Sequence, residues 1–136
     1  MLAQLVPKIL ILESQMIIAA DVSLQLSKLG YDVIGIISHL EDALKTIENN
    51  RPDIVLMNIE MQGKVDRLNI ARVILETFQV PIVFLTANSN KEIFKEVIDA
   101  QPYAFIIKPF NNKDLKRGIE TTLKRMEAEG LWDNNH

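Results

Sequence analysis

Polar residues that directly follow short apolar runs are the residues of this sequence best suited to chemistry. They are Glu13 with Ser14, Asn58, Thr86, and Lys108 before Pro109. An acid, an amide, a hydroxyl and an ammonium group suit a phosphoryl-transfer site, where cations and hydrogen-bond donors neutralise the charge on phosphoryl oxygens. Such a site also uses an anionic nucleophile and carboxylates that bind Mg²⁺. The set therefore predicts a phosphoryl-transfer site in which the nucleophile and one metal ligand are replaced.

Short apolar runs alternate with amphipathic stretches along the chain, which predicts five strand–helix pairs. The predicted strands are Lys8–Leu12, Tyr31–Ile37, Ile54–Ile59, Ile82–Leu85 and Ala104–Ile107. The predicted helices are Gln15–Leu29, the stretch from Ser38 to a break at Asn49–Pro52, Leu68–Phe78, Lys91–Ala100 and Asn112–Glu129. Strands that are apolar almost throughout are typical of a parallel sheet covered by helices on both faces, so we expect an α/β fold. In a doubly wound sheet of this kind, ligands bind beyond the carboxyl ends of the strands, which is where the polar residues should converge.

Several residues predict where individual helices begin and end. Gly30 suits the position after the first helix, because glycine adopts the left-handed conformation without a Cβ clash. Ser38 is predicted to cap the second helix, with Glu41 completing a capping box. Ser89 or Asn90 is predicted to cap the fourth helix.

The composition excludes several classes of protein. The 136 residues, 48% of them hydrophobic, suffice for one globular domain, which we expect over residues 1–129 with a tail over residues 130–136. Cysteine is absent, so we expect no disulfide framework and a cytoplasmic location. The net charge of −3 gives no general attraction to nucleic acids or acidic membranes. No signal peptide and no membrane-spanning run is predicted.

Four segments resemble the receiver domain of two-component response regulators. They are Ile9–Glu13, Pro52–Met57, Pro81–Ala87 and Lys108–Phe110. The resemblance covers about the first 125 residues, with the segments in the expected order on a matching strand–helix pattern. It implies a (βα)5 doubly wound, flavodoxin-like sheet with strand order 2-1-3-4-5.

The resemblance also implies roles for the polar residues. In such receivers an aspartate that ends the third strand accepts a phosphoryl group from a histidine kinase, and an acidic pair after the first strand binds Mg²⁺. By position, Glu13 matches the first acid, Thr86 the hydroxyl and Lys108 the lysine that bind phosphoryl oxygens, and Phe105 the switch aromatic. Asn58 stands at the acceptor position and Ser14 at the second acid, so the sequence departs from the family at its reactive centre.

The two replacements predict a site that is not phosphorylated. The Asn58 amide has no anionic oxygen and a delocalised nitrogen lone pair, which makes it a very poor nucleophile. With Ser14 in place of an acid, Glu13 is the one carboxylate expected to face the site, and Glu60 is a candidate ligand at its rim. Mg²⁺ binding should therefore be weak or absent, and no cofactor is expected. We expect Lys108 to pair with Glu13 and to donate to the side-chain oxygen of Asn58.

Two functions from different classes remain open at this point. The first is a non-enzymatic signalling module of two-component systems, a pseudo-receiver that acts through protein–protein contacts. The alternative is a phosphorelay receiver, otherwise a Mg²⁺-dependent switch, whose acceptor aspartate was mutated to Asn58. Plainer interpretations also exist: Asn58 as a loop cap, Thr86 as a structural hydroxyl and Phe105 as a packing residue. An enzyme is disfavoured, because no Gly-rich phosphate loop, nucleophile elbow or His–acid pair is present.

The fourth helix has a wider apolar surface than one buried stripe requires. Its apolar residues are Ile93, Phe94, Val97 and Ile98. They predict either a broad core contact or, with the last helix, a surface for a histidine kinase, an output domain or a second copy. The basic residues from Lys108 to Arg125 are predicted to be solvated, with no nucleic-acid binding. Trp132 is either a docking residue or part of a linker.

Overall fold

The computed structural model describes residues 5–61, 66–87 and 91–133. This part of the chain forms five strands, β1 (Lys8–Leu12), β2 (Asp32–Ile37), β3 (Ile54–Asn58), β4 (Ile82–Ala87) and β5 (Ala104–Lys108). Five α-helices alternate with them, α1 (Met16–Lys28), α2 (Ala43–Asn50), α3 (Arg67–Phe78), α4 (Lys91–Ile98) and α5 (Asn112–Ala128). A 3₁₀ turn, Leu40–Asp42, precedes α2.

The strands form one parallel sheet in the order β2-β1-β3-β4-β5. This confirms the predicted doubly wound topology. The order reverses beside β1, so the carboxyl ends of β1 and β3 lie next to each other at the switch point. Leu12 pairs with Met57 across these two strands, which sets the register of the residues that follow them.

Helices cover both faces of the sheet and create two hydrophobic cores that share the central strands. In β1, Leu10 and Leu12 face the core under α2 and α3, which we term the α2–α3 core. Ile9 and Ile11 face the opposite core under α1 and α5, which we term the α1–α5 core. This alternation follows from the period-2 geometry of a strand, and it explains why the strand sequences are apolar almost throughout.

Two of the predicted helix ends can be compared with the structure. Gly30 follows α1 with a φ of +94°, as its predicted role requires. The prediction for Ser38 is wrong, because the 3₁₀ turn intervenes and α2 begins only at Ala43. The Ser38 hydroxyl instead lies 3.0 Å from Nδ1 of His39. Ser89 and Asn90 lie outside the described residues.

The beginning of the predicted tail packs on the domain. The backbone N–H of Leu131 donates to the carbonyl of Met126 at 2.7 Å, and Trp132 packs against the α1–α5 core. This contact favours a docking role for Trp132 within its own domain. No helix in the described ranges has the length and apolarity needed to span a bilayer.

Candidate functional site

The sheet register brings the predicted site residues to one edge. Because Leu12 pairs with Met57, the residues that follow them, Glu13 and Asn58, lie side by side. On the other side of β3, Thr86 and Lys108 lie at the carboxyl ends of β4 and β5. The fold therefore brings these predicted residues to the carboxyl edge of the sheet.

A buried hydrogen bond between Glu13 and Asn58 is the central feature of this edge. Glu13 is 1% exposed and Asn58 is 5% exposed. The Asn58 amide nitrogen, Nδ2, donates to both carboxylate oxygens of Glu13 at 2.9 Å each. The pairing satisfies a carboxylate that burial would otherwise make costly.

The other end of the Asn58 side chain is also engaged. The backbone N–H of Glu60 donates to Oδ1 of Asn58 at 2.9 Å, and the N–H of Met61 donates to the Asn58 carbonyl at 3.1 Å. An acceptor partner at Nδ2 and a donor partner at Oδ1 determine which way the amide points. Asn58 therefore connects β1, β3 and the start of the β3–α3 loop.

The donor set does not fit Mg²⁺, which prefers several oxygen ligands including carboxylates in octahedral geometry. Among the described residues of this edge, Glu13 is the one buried carboxylate, and its two oxygens face an N–H donor that cannot bind a metal. The side chains of Ser14 and Glu60 are exposed. Within the described ranges, no three His, Cys, Asp or Glu side chains are grouped to bind a metal ion.

The predicted contacts of Lys108 are wrong. Among the described residues, no ion pair joins Lys108 to Glu13, and the donor to Oδ1 of Asn58 is a backbone N–H. The physical reason is that both oxygens of Glu13 already accept from Nδ2 of Asn58, and Oδ1 of Asn58 already accepts from the backbone N–H of Glu60. The amide of Asn58 makes the contact with Glu13 that was predicted for Lys108.

The other predicted residues of this edge lie in or against the core. Thr86 is completely buried at the end of β4. Phe105 is half-buried in β5 and packs against the α2–α3 core, with its ring centroid 5.9 Å from that of Phe84. The Lys108–Pro109 peptide bond that follows β5 is cis. These positions agree with the predicted edge, while the roles of Thr86 and Phe105 stay predictions.

The predicted apolar strip on α4 is only partly exposed. Val97 cannot contact a partner, because it lies on the inward face of α4 and is fully buried in the α2–α3 core. Ile98 is 62% exposed, and the side chains of Ile93 and Phe94 lie outside the described part of the structure.

Sequence reasoning missed an apolar surface on α1. Ile17 is 88% exposed and Leu24 is also exposed, on the face opposite the buried Val22 and Leu26. The signal was present in the sequence, since two apolar residues seven positions apart lie off the inward-facing stripe.

Comparisons with known proteins agree with the fold. The family model described as response regulator receiver domain matches residues 9–120. The transcriptional regulatory protein PdtaR of Mycobacterium tuberculosis is 31% identical over 118 residues, covering 87% of this chain and 57% of that protein. The phyllosphere-induced regulator PhyR of Methylorubrum extorquens is 30% identical over 122 residues, covering 89% of this chain and 45% of that protein. The chain thus spans about half the length of these curated relatives.

Solved structures of receiver domains have the same fold as this chain. The signal receiver domain of a modulated diguanylate cyclase from Desulfovibrio desulfuricans superposes with a TM-score of 0.84 at 31% identity, covering 91% of this chain and 98% of that one. The N-terminal domain of a response regulator/sensory box/GGDEF protein from Carboxydothermus hydrogenoformans has a TM-score of 0.80 at 29% identity, covering 90% and 98%.

Proposed function

The chain belongs to the response regulator receiver domain family of two-component signalling, and on this premise we propose that it is a pseudo-receiver. In this proposal the usual acceptor position is not phosphorylated, and the domain signals through protein–protein contacts. Receiver domains are generally non-enzymatic signalling modules, and we extend this to the present chain.

One observation carries the proposal: a hydrogen-bonded amide occupies the end of β3. Asn58 lacks an anionic oxygen, and its amide is engaged at both ends by Glu13 and the backbone of Glu60. A nucleophile has to present an electron pair to phosphorus, and the Asn58 nitrogen donates its hydrogens to a carboxylate instead. Ser14 makes phosphoryl transfer still less favourable. The reaction also depends on a bound metal, and Ser14 stands where a metal-binding acid is expected.

Intact-mass analysis after incubation with acetyl phosphate and Mg²⁺ tests the proposal. Wild type should keep its mass, because an amide stands at the acceptor position and Ser14 stands where the second metal-binding acid is expected. The variant Asn58→Asp is run beside it to show whether the remaining edge still supports transfer. A phosphorylated wild type would contradict the proposal and require another acceptor residue.

The alternative function is a phosphorelay receiver whose acceptor aspartate was mutated to Asn58. The fully buried Thr86 at the carboxyl end of β4 and Lys108 at the carboxyl end of β5 favour machinery that is otherwise kept. If Asn58→Asp alone is phosphorylated, Ser14 is tolerated and this alternative gains support. If phosphorylation needs Ser14→Asp as well, or never occurs, the constitutive interaction module is the better description.

We propose that Mg²⁺ binds weakly or not at all and that the domain uses no cofactor. The support is the chemistry of the described part of the edge, where Glu13 is buried and both of its carboxylate oxygens accept from Asn58. Isothermal titration calorimetry of the metal-free protein with Mg²⁺ should show no saturable heat at millimolar concentrations. Tight binding would contradict the proposed pocket.

We propose that partners bind at the side of the domain formed by α4, β5 and α5. Ile98 of α4 is 62% exposed and Ile107 of β5, the edge strand, is 42% exposed. The partner is a kinase, an output domain or a second copy, and neither nucleic acid nor a membrane is proposed. Sedimentation velocity over a range of concentrations measures the self-association, which Ile98→Asp should reduce. The matched control is Ile17→Asp on α1, and an equal effect of both variants would contradict this surface.

The cytoplasmic location and any output activity also stay proposals. The names of PdtaR and PhyR describe regulators that are about twice the length of the matched region, so their whole activities do not transfer to this domain. Cell fractionation tests the location.

A further inference from the structure

Glu13 is a buried carboxylate that has no cationic partner in the described part of the chain. It is 1% exposed, and the ion pairs formed among the described residues lie elsewhere on the domain. An ionised carboxylate in such a position requires hydrogen bonds or a cation to replace the lost hydration. The compensation comes from Asn58, the neighbouring residue at the switch point.

The geometry of this contact resembles the binding of a cation by a carboxylate. Nδ2 of Asn58 lies 2.9 Å from each oxygen of Glu13, so one nitrogen lies symmetrically in front of the carboxylate. The backbone N–H of Glu60 binds the other end of the amide and determines its orientation. The NH₂ group, with its partial positive charge, therefore occupies the position where a carboxylate would bind a metal ion.

We infer that Asn58 is a built-in substitute for the divalent cation of this site, and that Mg²⁺ neither binds beside Glu13 nor contributes to the stability of the domain. An aspartate at position 58 would leave two buried carboxylates facing each other, and such a pair needs a shared proton or a cation between its members. An asparagine satisfies Glu13 with a neutral group that belongs to the chain. The switch point is then fixed in one arrangement that connects β1, β3 and the start of the β3–α3 loop.

This inference rests on the proposed function, since it explains how an unphosphorylated receiver keeps one conformation at its former reactive edge. It also makes an independent claim about stability. The described residues contain a suitable control: Asn69, an exposed asparagine on α3, for which the same Asn→Asp change adds a charge without a buried carboxylate beside it.

Thermal unfolding in metal-free buffer and in millimolar Mg²⁺ tests the inference with wild type, Asn58→Asp and Asn69→Asp. The melting temperature of wild type should not change with Mg²⁺. Asn58→Asp should melt several degrees below wild type without metal and should regain part of this loss with Mg²⁺, while Asn69→Asp should show no response to Mg²⁺. A wild type stabilised by Mg²⁺, or an Asn58→Asp variant as stable as wild type without metal, would overturn the inference.

A second comparison keeps the test decisive if Asn58→Asp does not fold. Asn58→Leu removes the donor and leaves the Glu13 carboxylate buried without it, whereas Asn58→Leu combined with Glu13→Leu removes both groups. The double variant should melt at a higher temperature than the single variant. If the single variant is the more stable of the two, Asn58 does not compensate Glu13 and the inference fails.

The two proposals fail in different measurements. A wild type that is phosphorylated by acetyl phosphate contradicts the proposed function. A wild type that keeps its mass but is stabilised by Mg²⁺ contradicts the cation substitution and the proposed weak Mg²⁺ binding, but not the proposal that the acceptor position is unphosphorylated.

Discussion

At the scale of single residues, Gly118 lies where α5 packs closely against Ile106 of β5. A Cβ atom added there would lie 2.8 Å from Cδ1 and 2.9 Å from Cγ1 of the buried Ile106. Alanine is favoured over glycine in a helix by about 1 kcal/mol, but overpacking a dense core costs about 1–3 kcal/mol. We therefore expect Gly118→Ala to lower the free energy of unfolding by about 1 kcal/mol in urea titrations.

The contact with Ile106 can be tested directly. In an Ile106→Val background, which lacks Cδ1, the loss caused by Gly118→Ala should be smaller than in wild type. An unchanged or higher stability of Gly118→Ala in the wild-type background would mean that helix propensity outweighs the contact.

The types and places of the site residues were predictable at this scale, but their contacts were not. Glu13, Asn58 and Thr86 could be located because each ends an apolar run, and the fold then brings such ends together. The pairing of Glu13 with Asn58 depends on cross-strand register, and the contacts predicted for Lys108 are made instead by the amide of Asn58 and the N–H of Glu60. Neither register nor side-chain direction is encoded in the periodicity of a single segment.

At the scale of elements, α5 begins at a capping box. The side chain of Asn111 accepts from the N–H of Asp114 at 3.0 Å, and the Asp114 carboxylate accepts from the N–H of Asn111 at 2.9 Å. Loss of such a cap costs about 0.5–2 kcal/mol. Asn111→Ala should lower the free energy of unfolding by that amount, while Asn112→Ala, one residue further and exposed, should change it little. Equal effects of both substitutions in urea titrations would contradict a capping role.

Tyr103 connects the start of β5 to the end of α5. Its hydroxyl donates to the Glu129 carboxylate, and the guanidinium of Arg125 lies 3.9 Å from its ring centroid. Burial, followed by the hydrogen bond and the charge of Glu129, raises the pKa of Tyr103 to about 12, although Arg125 opposes the shift. Because this pKa lies above the ordinary value of 10.0, the folded state binds the proton more tightly than the unfolded state.

The stabilisation from Tyr103 should therefore be complete below pH 10 and be lost as the pH rises from 10 to about 12. Titration of tyrosinate absorbance, together with urea unfolding across the same range, measures both quantities. Tyr103→Phe should remove the later absorbance step and weaken the pH dependence of stability. Tyr31, whose pKa is raised by burial and then by Glu120, stays as an internal reference. A Tyr103 that titrates near its ordinary pKa would contradict the contact.

The elements themselves were largely predictable because strands and helices differ in the period of their apolar residues. β1 begins and ends at the predicted residues, and the other strands differ by two residues or fewer at either end. The start of α2 was missed, because a Ser-x-x-Glu pattern does not distinguish a capped α-helix from a 3₁₀ turn that precedes one. The cap at Asn111 is a pattern of the same kind that was not recognised.

At the scale of the whole molecule, the two cores are not independent, because the central strands contribute to both. Leu10 and Leu12 of β1 are buried in the α2–α3 core, and Ile9 and Ile11 of the same strand are buried in the α1–α5 core. A strand that separates from one helical layer loses its contacts with the other as well. We therefore expect one cooperative unfolding transition, as is usual for single domains below about 150 residues.

Trp132 allows this cooperativity to be tested from one side of the sheet. It is the single tryptophan of the chain and packs against the α1–α5 core, so its fluorescence reports on that face. Leu12→Ala removes a fully buried side chain from the opposite core and should cost about 2–5 kcal/mol. If the domain unfolds as one unit, the Trp132 fluorescence transition should move to lower urea by the same amount as the circular dichroism transition. A fluorescence midpoint that stays in place while the dichroism midpoint moves would show that the two layers unfold separately.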